Sequence, residues 1–107
     1  MTTSLILDTT RSDDATLVLT AVGEIDLSNI DRFKQALTTA TTEAVSGGAR
    51  LTVDLTAIEY LDSAAINALY NLADHIHLIA NPLLMRSLTV SGLAELVTIE
   101  VPPIAPH

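Results

Sequence analysis

Segments with apolar residues at every second position alternate with segments in which they recur every three or four, and this exchange of periods runs through nearly the whole of a 107-residue chain. Period two marks a strand with a preferred face, and a period near 3.6 marks an amphipathic helix. Ser4 to Asp8 is a short apolar stretch, and Thr16 to Val22 sets Leu17, Leu19 and Ala21 against Val18, Thr20 and Val22. Both faces of the second stretch are fairly apolar, which predicts a strand covered on two sides or one with a packed partner. The mostly polar Thr9 to Ala15 separates the two, with Arg11 to Asp14 as the expected hairpin turn.

Ile30, Phe33, Leu37, Ala40 and Ala44 then recur at helical spacing behind Ser28, and Asp31 stands three residues after that serine as a capping-box candidate. Gly47-Gly48 ends the helix. Leu51, Val53 and Leu55 alternate with Thr52, Asp54 and Thr56, a strand pattern. A second helix starting near Ser63 places Ile66, Leu69, Ala73 and Ile76 on one face. His77 to Ala80 reads as a strand, Asn81-Pro82 as a turn, Leu83 to Val90 as a third short helix stopped at Gly92, and Thr98 to Val101 as the last strand.

The order β-β-α-β-α-β-α-β predicts an α/β domain with a mixed sheet of about five strands and about three to four helices, the opening hairpin supplying the antiparallel pair. One domain over residues 1–101 is expected, followed by a proline-rich tail over 102–107 that cannot pair as a central strand. Phe33, Tyr60 and Tyr70 are the only aromatics, so aliphatic side chains must fill the core.

Charge narrows the partners. Thirteen acidic residues against five basic ones give a net charge of −8, and no Lys or Arg lies between Arg50 and Arg86. Such a surface repels a phosphate backbone and an anionic bilayer, so neither nucleic acid nor membrane is an expected partner. The chain has no cysteine, no apolar run near the length of a membrane span and no signal-peptide layout at Met1-Thr2-Thr3-Ser4, so a cytoplasmic location is expected.

Motifs that would carry catalysis are missing. Gly47-Gly48 lacks the Gly-Lys-Ser/Thr ending of a phosphate-binding loop. No Gly-x-Ser-x-Gly elbow surrounds Ser63. His75 and His77, two apart, would share one face of a strand, but no third ligand accompanies them. No enzyme activity, metal or cofactor is expected. The informative place is Leu51 to Ile66, where a strand runs through a short turn into a helix and sets Asp62-Ser63 at its start. Either residue can serve as the N-cap there. The unpaired backbone N–H groups and the dipole of that terminus also favour an anion by about 0.3–1 kcal/mol, which suits a phosphate on Ser63.

Three segments, Gly23-Glu24-Ile25-Asp26, Val53-Asp54-Leu55 running to Leu61-Asp62-Ser63, and Ser91-Gly92-Leu93, resemble in kind and order the landmarks of the STAS family. The resemblance covers nearly the whole chain. Stand-alone chains of this size in that family are bacterial anti-sigma factor antagonists, and the resemblance implies that Ser63 is phosphorylated by the partner kinase. Two departures stand out. The family pattern reads Asp-Ser-Ser/Thr-Gly where this chain has Ala64 and Ala65, so a methyl at Ala65 is expected to block a close backbone approach. The interval from the second helix to the following strand is also short, forcing Asp74-His75-Ile76-His77 into a tight turn.

The implied role is partner switching. With Ser63 unmodified the chain sequesters an anti-sigma factor that is itself a serine kinase; phosphorylation releases it, and a phosphoserine phosphatase resets the cycle. Asp62 and Asp26 are the expected acidic neighbours of the phosphosite, and Glu24, Glu59, Tyr60 and Ala64 the expected interface. Phosphate would add about −1.5 to −2 charges to an acidic rim and spoil docking while sparing the fold. The competing readings are a STAS module that binds a nucleotide or small molecule and is never phosphorylated, and a subunit of a larger signalling assembly.

Overall fold

Two strands, β1 (Leu5–Arg11) and β2 (Leu17–Ile25), pair antiparallel, and β2 then becomes the first of four parallel strands. The computed structural model describes residues 4–12 and 16–101. After β2 come helix α1 (Ile30–Ser46), β3 (Leu51–Leu61), α2 (Ser63–Asn71), a 3-10 turn at Ala73–His75, β4 (Ile76–Ala80), a second 3-10 turn at Pro82–Leu84, α3 (Met85–Val90), α4 (Leu93–Leu96) and β5 (Thr98–Glu100). The sheet order is β1-β2-β3-β4-β5, so the α/β fold with a five-stranded mixed sheet and four helices is the expected one. Among the described residues, no helix is long and apolar enough to cross a membrane.

Alternation decides which face is core. Leu17, Leu19 and Ala21 on β2, Leu51, Val53 and Leu55 on β3, and Ile76, Leu78 and Ala80 on β4 are all buried. Phe33, Leu37, Ala40 and Ala44 of α1, Leu69 of α2, Leu88 of α3 and Leu93 of α4 are buried with them. Their alternates Val18, Thr20, Thr52, Asp54, His77 and Ile79 are only half-buried and Val22 is exposed, so the apolar character of both β2 faces does not mean equal cover. As expected, the core is aliphatic around Phe33, while Tyr60 and Tyr70 stay about half exposed.

Element bounds differ from the expected ones for identifiable reasons. Strand β1 continues through Thr9, Thr10 and Arg11, because these polar residues sit on an edge strand whose outer half faces water. The hairpin connection therefore begins after Arg11, which pairs with Leu17; Ser12 N–H donates to Thr16 O (2.9 Å), and the Asp13 and Asp14 of the expected turn lie outside the described residues, as do Pro102, Pro103 and Pro106. Ser28 is not the cap of α1: Asn29 holds that position and makes no side-chain cap bond, so the Ser28/Asp31 capping box is not formed. Helix α2 ends at Asn71, and Ile76 opens β4 instead of continuing the helical face; the tight turn falls at Ala73–His75, where His75 N–H donates to Leu72 O (2.8 Å). His75 is thus in that turn and His77 on β4, so the two do not share a strand face. His77 Nε2 lies 3.8 Å from Glu100 Oε1, and among the described residues no group of three or more His, Cys, Asp or Glu could hold a metal ion. The turn at Leu93–Leu96 was not expected as a helix.

The largest deviation is in β3. Val18–Ile25 of β2 is matched to Thr52–Leu61 of β3, a span two residues longer, and the register slips twice. Each slip is a bulge that places one extra residue on β3 and reverses the faces beyond it. At the first, Asp54 Oδ1 accepts from Thr56 N (3.0 Å) and Thr56 Oγ1 (2.7 Å). At the second, Ile58 and Leu61 both point inward, leaving Glu59 and Tyr60 as consecutive exposed residues. Opposite these bulges Gly23 takes φ +116°, and a Cβ there would run into the Ser4 carbonyl oxygen. Gly23→Ala is therefore expected to lower stability by about 1–3 kcal/mol, through both the left-handed backbone and the clash. An unchanged urea midpoint would remove Gly23 from the account of this bend.

Candidate functional site

Parallel pairing brings the carboxyl ends of β2 and β3 side by side, with Glu24 opposite Tyr60 and Ile25 opposite Leu61. The loops that leave these ends must therefore meet, which is where open α/β sheets usually place their sites. Asp62 N–H donates to Ile25 O (3.1 Å), fixing the second loop against the end of β2. The first loop is held from inside by Asn29, which is 4% exposed. Its Oδ1 accepts from Asp26 N (3.0 Å) and its Nδ2 donates to Glu24 O (3.0 Å). Asp26 Oδ1 in turn accepts from the Ser28 amide (2.9 Å) and hydroxyl.

Asp62 is the N-cap of α2: its Oδ1 accepts from Ala65 N (3.0 Å) in the usual cap geometry. Ser63 is the first helical residue, it is exposed, and its hydroxyl has no hydrogen-bond partner among the described residues. The sequence allows either residue as the cap; the structure gives that role to Asp62 and leaves the Ser63 hydroxyl outside it. Ser63 borders two clefts. One, of about 460 Å³, is lined by Asp26, Leu27, Ser28, Tyr60, Asp62, Ser63 and Ala64. The other, of about 340 Å³, lies along α2.

Of the residues singled out in the sequence, Asp26, Tyr60, Asp62, Ser63 and Ala64 thus share one cleft. Glu24 and Glu59 are exposed nearby on β2 and β3 but do not line it. Ala65 is fully buried, so its methyl belongs to the core and does not stand between Ser63 and a molecule approaching from outside. That corrects the expected obstruction. Two residues were not anticipated. Leu27, 81% exposed, puts a large apolar side chain on the rim. Asn29 has no apolar periodicity to mark it; only its place directly before the helix could have done so.

A model of the family described as "Mlab, STAS domain" matches residues 9–98. No curated protein matches the sequence. Among solved structures, an anti-sigma factor antagonist from Mycobacterium paratuberculosis superposes with TM-score 0.79 at 21% identity, over 91% of this chain and 86% of that one. The anti-sigma factor antagonist SpoIIAA in its unphosphorylated form gives 0.68 at 13% identity, over 92% and 89%. A protein of Shewanella loihica with a SpoIIAA-like fold gives 0.53 at 17% identity, over 97% and 89%. At these identities the likenesses speak to fold.

The division of roles can be tested without a partner. Asp62→Ala should lose about 1 kcal/mol, whereas Ser63→Ala should stay within about 0.5 kcal/mol of the parent. Asn29→Ala, which strips two bonds from a buried loop, should lose about 1–3 kcal/mol. Chemical denaturation of the three variants checks the order; a Ser63→Ala loss as large as that of Asp62→Ala would mean that the serine hydroxyl is structural after all.

Proposed function

The chain belongs to the STAS domain family, and from that premise we propose that it is an anti-sigma factor antagonist working by partner switching at Ser63. The unphosphorylated protein binds an anti-sigma factor and frees the sigma factor; the same partner, acting as a serine kinase, phosphorylates Ser63 and is released, and a phosphoserine phosphatase restores the binding form. The observation that carries this reading is the exposed, unbonded Ser63 hydroxyl beside an Asp62 that already caps α2. Modification there removes no bond on which the fold relies.

The chemistry is a phosphoryl transfer. Ser63 Oγ attacks the γ-phosphorus of ATP, the bond from that phosphorus to the β–γ bridging oxygen breaks to give ADP, and the hydroxyl proton passes to a base on the kinase. The product sits at the positive end of a nine-residue helix, which favours it by about 0.3–1 kcal/mol. Docking is another matter. Asp26 and Asp62 flank the site, Glu24, Glu59, Tyr60 and Ala64 form the surface that a partner covers, and this rim suits a partner with basic edges. A phosphate adds about −1.5 to −2 charges at its centre, and stripping water from it on docking costs several kcal/mol. Release then follows from local charge and desolvation, with the scaffold unchanged.

Incubation with the serine-kinase anti-sigma factors of the source organism and ATP, followed by mass spectrometry, should place one phosphate on Ser63 and none on Ser63→Ala. Ser63→Asp should bind the cognate partner at least about tenfold more weakly than wild type, a difference of roughly 1.4 kcal/mol. Equal binding by Ser63→Asp would defeat the electrostatic switch. Absence of label together with a saturable rise in melting temperature on adding a nucleotide would favour the ligand-sensing reading.

A further inference from the structure

Strand β1 is an open edge of the sheet: β2 covers one side of it, and among the described residues no strand lies on the other. The ladder decides which backbone groups this leaves outward. Glu24 N–H donates to Ser4 O at one end of the pair and Ser12 N–H to Thr16 O at the other. Hydrogen-bonded and non-hydrogen-bonded pairs alternate between antiparallel strands, so Ile6, Asp8 and Thr10 spend their N–H and C=O groups on β2, whereas Leu5, Leu7 and Thr9 turn theirs away from it. Arg32 Nη2 donates to Leu5 O (3.2 Å), while the outward groups of Leu7 and Thr9 bond to nothing among the described residues. Beside them a groove of about 440 Å³ runs between β1 and α1, with Leu7, Ala36 and Ala40 in its floor and the exposed Gln35 and Thr39 along its rim. Its ends differ in charge: Arg32 stands at the Leu5 end, and at the other Glu43 lies 3.2 Å from Arg11.

Proteins that keep a sheet edge unpaired commonly blunt it by shortness, proline, lysine or a bulge. At the opposite edge, β5 is only three residues long. Strand β1 has seven residues, neither proline nor lysine, and an unbroken register. We propose that β1 pairs antiparallel with β1 of a second copy of this chain, joining two five-stranded sheets into one across a two-fold axis. Charge argues for that occupant. The groove is basic at one end, acidic at the other and uncharged between, and the axis reverses the second copy, so the Arg32 end of each groove is turned toward the Glu43 end of the other. Exclusion fixes the register. Pairing centred on Leu7 needs the Leu5 carbonyl, which Arg32 already holds, and pairing centred on Asp8 sets two carboxylates directly opposite each other, which is unfavourable. Pairing centred on Thr9 avoids both: Thr9 exchanges two backbone bonds with its counterpart, and Asp8 stands across from Thr10. The dimer does not depend on partner switching, since no residue of this groove lines either cleft at Ser63.

The test is sedimentation velocity of the full chain from micromolar to millimolar concentration, which should show a monomer–dimer equilibrium. Thr9→Pro removes the N–H that bonds across the axis and none that bonds to β2, so it should give a folded monomer. Thr9→Lys, at an exposed position, faces two like charges across the axis and should weaken the dimer several-fold even if the proline variant fails to fold; circular dichroism melts report folding for both. Amide hydrogen exchange locates the contact. The Thr9 amide should gain protection as concentration rises, whereas those of Asp8 and Thr10, bonded to β2, should be protected throughout. A wild-type chain that stays monomeric over the whole range overturns the proposal and leaves this edge to a strand of another protein. A dimer that persists in Thr9→Lys, with no change at the Thr9 amide, uses a different face and overturns it as well.

Discussion

The parallel pairing of β2 with β3 governs this molecule, because it forces two chain segments far apart in sequence to leave the sheet at the same place. Glu24 meets Tyr60 and Ile25 meets Leu61, so whatever follows each strand must share one patch of surface. The Asp62 amide bonded to Ile25 O fastens one exit to the other. Buried Asn29 then supplies what the short first loop cannot supply for itself, a donor for the Glu24 carbonyl and an acceptor for the Asp26 amide. The loop closes one backbone bond of its own, Asn29 N–H donating to Asp26 O (3.2 Å), and the asparagine side chain pairs the Glu24 carbonyl and the Asp26 amide, groups that left unpaired near the core would cost about 1–3 kcal/mol each. The rigidity of the Ser63 surroundings is therefore a property of the strand ends and one asparagine.

Much of this arrangement was legible in the sequence because each period has a mechanical cause. Leu51, Val53 and Leu55 point one way because the chain is extended, and Phe33, Leu37, Ala40 and Ala44 line up because it is coiled. The legibility stops where the backbone departs from either regular form. Beyond Thr56 the alternation disappears although the strand continues to Leu61, because two bulges each insert a residue and invert the faces. Ser28 has the makings of an N-cap, yet Asp26 engages its hydroxyl and amide and the helix starts one residue later, a competition between two local hydrogen bonds that spacing cannot rank. Ile76 suits a helical face as well as a strand, and the chain's choice is made by its partners Leu51 on β3 and the core beneath.

The bulges matter for the site as well as for register. With strict alternation only one of Glu59 and Tyr60 would face outward. The extra residue exposes both, giving the surface beside Ser63 a carboxylate and an aromatic ring from adjacent positions. Gly23, whose backbone no other residue would adopt without strain, is the counterpart on the neighbouring strand. A glycine and an irregular strand that look like structural defects are thus what shape the patch.

A charge switch on such a scaffold requires that the modified atom be mechanically idle and electrostatically central. The first condition follows from the division between Asp62, which caps the helix, and Ser63, whose hydroxyl bonds to nothing among the described residues. Were the serine the cap, phosphorylation would trade a structural bond for charge, and loss of partner would be inseparable from loss of helix. The second condition follows from Ser63 lying on the boundary of two clefts, one that carries the carboxylates of Asp26 and Asp62 and one lined by no charged residue, so that any partner covering both must pass over its hydroxyl. An exposed serine elsewhere on α2 would satisfy the first condition and fail the second. Position at the junction of two strand exits, more than residue type, makes this hydroxyl a candidate switch.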